Sequence, residues 1–212
     1  MKKYKIVAIN LGSTSTKIAY YENDQCKLKT NLVHSAQELK QFDTIWDQYD
    51  YRLHVIENYL KENNIEVSEL DAVATHGGHI EPIVGGVYRV NEKLLAQSAS
   101  GKYGLHACDL GLKIVTALSQ YGPVPLTVDP PITDEFEPLA RYSVLPELPR
   151  RSSFHALNHR AVGKQYAKDI GKEAKPKCQK VVHYAEQPGF DIRKLVPVPT
   201  NTCLSYQELA SE

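Results

Sequence analysis

The period of apolar and polar positions changes several times along the chain. Residues 4–10 form a short apolar run rich in β-branched side chains, and Leu11-Gly12-Ser13-Thr14-Ser15-Thr16 follows it. A strand closed by a polar turn is predicted there. Residues 17–21 resume as a strand, Asn23-Asp24 marks the next turn, and residues 26–33 alternate weakly as a third strand. The opening is therefore a three-strand antiparallel meander. Helical periodicity then takes over, with Leu53, Ile56 and Leu60 on one face and the Glu57–Lys61 pair outside. Asn63-Asn64 ends that helix. Residues 70–75 read as a strand running into His76-Gly77-Gly78-His79, and residues 83–90 carry Gly85-Gly86 and stop at Asn91. Leu110, Ile114 and Leu118 mark a second helix, closed by Gly122-Pro123. Residues 125–128 form a short buried strand that Asp129-Pro130-Pro131 cuts off. Residues 154–170 read as a third helix with Leu157, Ala161, Val162 and Tyr166 inward, stopped by Gly171.

Beyond Gly171 the pattern fails. Residues 173–212 hold Pro176, Pro188, Pro197 and Pro199 and keep no period of a strand or a helix. They are predicted to form an irregular tail or a segment that orders on a partner. The expected organisation is a domain over 1–172 followed by that tail.

Composition narrows the function classes. Apolar residues make up 42% and charged residues 24%, values of an ordinary globular protein. Lys plus Arg is 25 and Asp plus Glu is 25, so the charge balances; a protein living on nucleic-acid phosphates normally carries a basic surplus. No apolar run approaches the roughly 18 residues of a membrane span. The basic start lacks the apolar stretch of a signal peptide. A cytoplasmic location is expected, with no nucleic-acid or membrane partner. Cys26, Cys108, Cys178 and Cys203 form no CxxC pair and are read as reduced thiols.

Four places hold candidate chemistry, each with a plain structural alternative. The turn from Asn10 to Lys17 gathers a glycine, four hydroxyls and a lysine. Backbone N–H groups and hydroxyls there can ring an anion; an ordinary polar hairpin is the alternative. His76-Gly77-Gly78-His79 can hold a metal, or let backbone approach a ligand, or be a glycine turn with exposed histidines. Asp129 stands where α/β sheets bind ligands, beyond the carboxyl end of a strand, or serves as a cap or turn aspartate. Arg150-Arg151-Ser152-Ser153 leads into a helix bearing His155 and His159 one turn apart. That helix start suits an anion, and the histidine pair can hold zinc.

Taken in order, the stretches INLGSTSTKIAYYEN, GGHIEPIVGGVYRVNEKLL, GKYGLHACDLGLKIV, VDPPITDEF, AR at 140–141 and RRSSFHALNHRAV resemble the N-terminal half of butyrate kinases. They cover about residues 4–172. That family belongs to the acetate kinase branch of the superfamily that also holds sugar kinases and actin. The resemblance implies an actin-like, ribonuclease H-like α/β fold with a mixed sheet opened by the meander. It implies two such halves around a nucleotide cleft. The implied reaction is transfer of the ATP γ-phosphoryl group to a short-chain carboxylate such as butyrate, with Mg2+, giving an acyl phosphate and ADP. Such transfer depends on positioning and charge neutralisation.

Carried over by position, the resemblance implies the following roles. Asn10 lies near magnesium and phosphate, and Gly12, Ser13, Ser15 and Lys17 form the phosphate-facing loop. Asp129 is the catalytic or metal-orienting acid, and His155 stabilises charge on the transferring phosphoryl. His76, Gly77 and Gly78 face the carboxylate substrate. The chain also departs from the pattern. Leu11 stands where butyrate kinases usually have proline and acetate kinases cysteine. His76 stands where butyrate kinases usually have arginine, and Val73 where acetate kinases place a substrate arginine. Cys108-Asp109 replaces the usual Ser-Asn. A neutral imidazole does not replace a bidentate guanidinium at a carboxylate. The match stops near Lys172, about half the family's length, so the chain is expected to be truncated and weak or inactive alone. The alternatives are a non-catalytic half that dimerises or docks to a full-length kinase or a separate second half, and a metal-binding module on His76, His79, His155 and His159.

Overall fold

The computed structural model describes residues 3–145, 147–152 and 156–171. The tail expected over 173–212 and His155 lie outside the described residues. The chain separates into two compact units, Met1–Leu157 and Asn158–Glu212.

The first unit is built on one mixed sheet. Its strands are β1 (Lys5–Leu11), β2 (Ser15–Glu22), β3 (Gln25–Val33), β4 (Ala72–Thr75), β5 (Val87–Arg89) and β6 (Val124–Val128). They lie side by side in the order β3-β2-β1-β4-β6-β5. The meander is as expected: β1 pairs antiparallel with β2, and β2 with β3. β4 then adds parallel to β1, and β6 parallel to β4. β5 closes the other edge antiparallel to β6. Three parallel strands, β1, β4 and β6, therefore end on one edge of the sheet, at Leu11, Thr75 and Val128.

Alternation explains β1: Val7, Ile9 and Leu11 are buried while Asn10 faces solvent. Helices α1 (Ala36–Leu39), α2 (Tyr49–Glu62), α3 (Glu92–Ala99) and α4 (Leu110–Leu118) complete the unit. α4 is apolar nearly all round, and Leu110, Leu112, Ile114, Val115 and Leu118 are all fully buried. A helix without a polar face belongs inside, and α4 packs against β4, β6 and α2.

Two sequence expectations change. The inward stripe of α2 is Arg52, Ile56 and Leu60, with Leu53 only partly buried. An arginine thus takes the first core position that the hydrophobic pattern assigned to Leu53. The segment after Asn91 forms a helix the pattern did not flag, α3, whose first turn Asn91 caps by accepting from the Leu94 N–H at 3.0 Å. α5 (Ala156–Asp169) lies where the third helix is predicted, with Gly171 in the left-handed region just past its end, but Ala161 and Val162, expected inward, are exposed, and Ala167 is buried.

Candidate functional site

The carboxyl ends of β1, β4 and β6 carry three of the four candidate motifs. Register puts Ile9 beside Thr75 and Thr75 beside Thr127. The β1–β2 turn, the His76–His79 loop and Asp129 consequently leave the sheet along one edge. Ligands in α/β sheets bind outside such strand ends.

At β1, Asn10 and Lys17 are directly opposite on adjacent strands and both are exposed. The turn between them is held from behind. The Gly12 N–H donates to the Ser15 carbonyl at 2.8 Å, and the His34 N–H donates to the Thr14 carbonyl at 2.9 Å. Arg52, 0% exposed, donates to the carbonyls of Gly12 (3.2 Å), Ser13 (3.0 Å) and Ser15 (3.1 Å) and to Thr16 Oγ1 (3.0 Å). Its remaining donors go to Gln48 Oε1. Burial pulls the guanidinium below its ordinary pKa, but a guanidinium keeps its proton in proteins.

At β4, the two glycines of the His76–His79 loop serve packing. A Cβ on Gly77 would run into the Cys108 carbonyl oxygen, and Gly78 sits at φ +119° against Leu112. The Gly77 N–H donates to Thr75 Oγ1 (3.2 Å), and its carbonyl accepts from Thr127 Oγ1 (2.8 Å). The backbone that approaches Gly77 is the protein's own.

The two histidines of this loop go to different partners. His76 Nδ1 lies 3.4 Å from the Val128 carbonyl. His79 is half-buried and meets Asp109: its N–H donates to Oδ1 at 2.6 Å, and Nδ1 lies 3.0 Å from the same oxygen. Hydrogen bonding to Asp109, then to Cys108, raises the His79 pKa to about 10. The ring is thus packed against Asp109 and only partly exposed, not an exposed turn histidine. His79, Cys108 and Asp109 each offer one ligand atom within 4.8 Å of the others. Two backbone N–H groups, those of His79 and His106, also donate to Asp109.

At β6, Asp129 is 6% exposed and sits at φ 40°, a left-handed conformation that aspartate tolerates better than most residues. Its N–H donates to the Gly86 carbonyl at 2.9 Å. Non-glycine residues held there cluster at functional sites.

His106 completes the edge. It begins the turn Ala107–Asp109, which leads into α4, and its own N–H donates to Asp109 Oδ2 at 2.7 Å. Its Nδ1 accepts from the Cys108 N–H at 3.2 Å, so Nε2 carries the proton and donates to Ser13 Oγ, 3.2 Å away. Sequence reasoning missed His106 and Arg52. Each is 36 or more residues from its partners in the turn, and only tertiary contact joins them. The fourth motif is not brought to the edge by any described contact: Ser152 Oγ donates to the Thr133 carbonyl at 2.6 Å, and Arg150 lies over Phe136.

No family model matches the chain. Butyrate kinase 2 of Clostridium acetobutylicum is 46% identical over 172 residues, 81% of this chain and 48% of that protein. Butyrate kinase 1 of the same organism is 44% identical over 181 residues, covering 85% and 51%. The match is to the N-terminal half of butyrate kinases. The chain spans about half the length of the curated relatives it matches. The solved acetate kinase of Porphyromonas gingivalis superposes with a TM-score of 0.53 at 17% identity, over 81% of this chain and 50% of that one. The fold is the actin-like α/β fold of acetate kinases. No helix among the described residues is long and apolar enough to cross a membrane.

Proposed function

We propose that this chain supplies the phosphate-facing wall of a butyrate kinase-type active site. The reaction moves the γ-phosphoryl group of ATP to a short-chain carboxylate, with butyrate as the reference substrate. The supporting observation is the convergence, on one sheet edge, of a turn whose carbonyls are drawn inward and a buried acid in a left-handed conformation. That edge lies in a chain matching butyrate kinases.

In this reading Gly12, Ser13, Ser15 and Lys17 receive the phosphates, and His106 positions Ser13 through its Nε2–H. Asn10 and Asp129 offer hard oxygen donors, the chemistry magnesium prefers, so the residues present fit that ion. When bound, it neutralises charge on the phosphate oxygens. His76 and the Gly78 backbone face the carboxylate, since both backbone groups of Gly77 are engaged. His155 keeps its implied role beside the transferring phosphoryl group.

Amide NMR and thermal melting of the purified chain with Mg-ATP test the reading, alongside acyl-hydroxamate formation from butyrate. Mg-ATP is expected to move the Ser13 and Thr14 amides and raise the melting temperature. Asp129→Asn is expected to abolish the magnesium-dependent part of that response. An unmoved turn at millimolar Mg-ATP overturns it.

A second reading, docking to another copy or to a separate kinase half, is favoured by the exposed side chains of Leu139, Tyr142, Val144, Leu145 and Leu148. Apolar surface of this kind marks interaction sites. Sedimentation that shows a concentration-independent monomer counts against it.

A further inference from the structure

The carbonyls of the β1–β2 turn are all engaged by the protein itself, three of them by one guanidinium. Arg52 takes those of Gly12, Ser13 and Ser15, and the His34 N–H takes that of Thr14. In a planar trans peptide the N–H after a carbonyl points opposite to it, and the described chain holds no cis bond. The N–H groups of Ser13 and Thr14 therefore face away from the guanidinium, at an exposed turn. Successive outward N–H groups make an anion-binding concavity.

Every acceptor on Arg52 is neutral, and among the described residues no carboxylate pairs with it. Arginine accepts no hydrogen bond, so Thr16 Oγ1 accepts from Nη1 and donates onward to His34 Nε2 at 2.8 Å. His34 Nδ1–H then donates to Tyr51 Oη at 2.8 Å, and Tyr51 donates to Glu38 Oε1 at 3.4 Å. Burial and the neighbouring Arg52 charge hold the His34 pKa below its ordinary value, so the ring adds no charge at neutral pH. The carboxylate on this path lies three side chains away from the cation. Retaining a buried charge without a counter-ion is costly, and an anion at the turn supplies the compensation.

We propose that Arg52 is the buried positioning residue of the anion site, turning the Ser13 and Thr14 N–H groups outward and placing an uncompensated positive charge beneath the bound phosphate. The inference rests on reading the β1–β2 turn as the phosphate-facing loop. It adds a residue on α2 as the source of that loop's field.

The decisive variant is Gln48→Glu. It keeps the side-chain shape and puts a carboxylate against Nε and Nη2, neutralising the cation in place. Pyrophosphate is titrated into the full chain while the Ser13 and Thr14 amides are followed, with melting recorded in parallel. Gln48→Glu is expected to melt no lower than wild type yet bind pyrophosphate about three- to tenfold more weakly, with a flatter salt dependence. Gln48→Met, which removes the hydrogen bond but adds no charge, is expected to stay within about twofold. A purely structural Arg52 predicts no such split. Arg52→Lys keeps the charge and loses the fork, so the ligand-free Ser13 and Thr14 resonances are expected to move and affinity to fall. Wild-type binding with equal affinity in folded Gln48→Glu overturns the role of the charge and leaves the phosphate loop standing. Absence of any Ser13 or Thr14 shift in the wild type overturns both.

Discussion

Gly77→Ala separates packing from ligand approach as the reason for glycine in the His76–His79 loop. The added Cβ would overlap the Cys108 carbonyl oxygen, lie 3.0 Å from the Cys108 carbonyl carbon and touch Thr75 Oγ1 at 3.4 Å. The obstacle is backbone, so no rotamer change relieves it. The loop and the Ala107–Asp109 turn must part by roughly 1 Å or more, which overpacking data place at about 1–3 kcal/mol. That turn leads directly into α4, whose fully buried face packs on β4 and β6, so the strain falls on the centre of the core. Moving the Gly77 peptide also strains its bonds to Thr75 and Thr127, each worth about 1 kcal/mol. The total is on the order of 3–5 kcal/mol, a large share of a typical domain's stability. Urea denaturation in the absence of any ligand measures it. Gly101→Ala is the control: it has φ +66° with nothing within 4 Å of its Cβ, so only the left-handed backbone cost of about 1 kcal/mol applies. Gly77→Ala within 0.5 kcal/mol of wild type, by a measure able to resolve about 0.5 kcal/mol, would refute the packing argument.

The His79–Asp109 pair should make stability fall in alkali. Its folded pKa, about 10, lies above the ordinary 6.5, so the contribution is complete below pH 6.5, declines as pH rises, and is gone above about pH 10. With the His79 side chain 18% exposed, about 1–3 kcal/mol is expected, and Asp109→Asn should flatten that part of the pH-melting curve. A His79 ring that titrates near 6.5 by NMR would sink this account. Thr16→Val should cost about 1–3 kcal/mol, because it leaves a guanidinium N–H and His34 Nε2 without their shared partner. An unchanged urea midpoint contradicts it. His76→Arg should tighten butyrate binding severalfold in an NMR titration, because it restores a bidentate donor to carboxylate; no gain would place the carboxylate elsewhere.

The elements were legible where local signals govern them. Alternation in β1, the apolar stripe of α4 and the Gly-Pro stop after it are properties of a few neighbouring residues, and the structure follows them. Asn91 is also a local signal, an N-cap three residues ahead of Leu94, but asparagine after an apolar run marks the end of a strand as readily as the start of a helix. The site was legible in part for a different reason. Gly12, Asp129 and His76 stand at chain breaks, where turns and strand ends show in the sequence, and parallel pairing then brings those breaks to one edge. Arg52 sits inside a helix with no break near it. Its place four residues before Ile56 puts it on the inward stripe, but its charge argues for solvent, and the charge masks the position.

That exception shows how the candidate site is organised. A charge in the stripe of α2 is tolerated because the β1–β2 turn supplies three carbonyls and a hydroxyl in the place where a Leu would meet apolar side chains. The same contacts remove those carbonyls from the open side of the turn, where their partial negative charge would oppose a phosphate. Folding and anion recognition therefore draw on one set of hydrogen bonds. A hydrophobic residue at position 52 would take the donor from the Gly12 and Ser13 carbonyls, leaving Ser15 its bond from the Gly12 N–H, while improving the helix stripe. These bonds are part-buried, so the loss at the turn is about 1 kcal/mol for each. Against that, burying a Leu-sized side chain gains about 1.5–3 kcal/mol. The two effects are of similar size on stability alone, and Arg52 ties the stability of α2 to the shape of the turn.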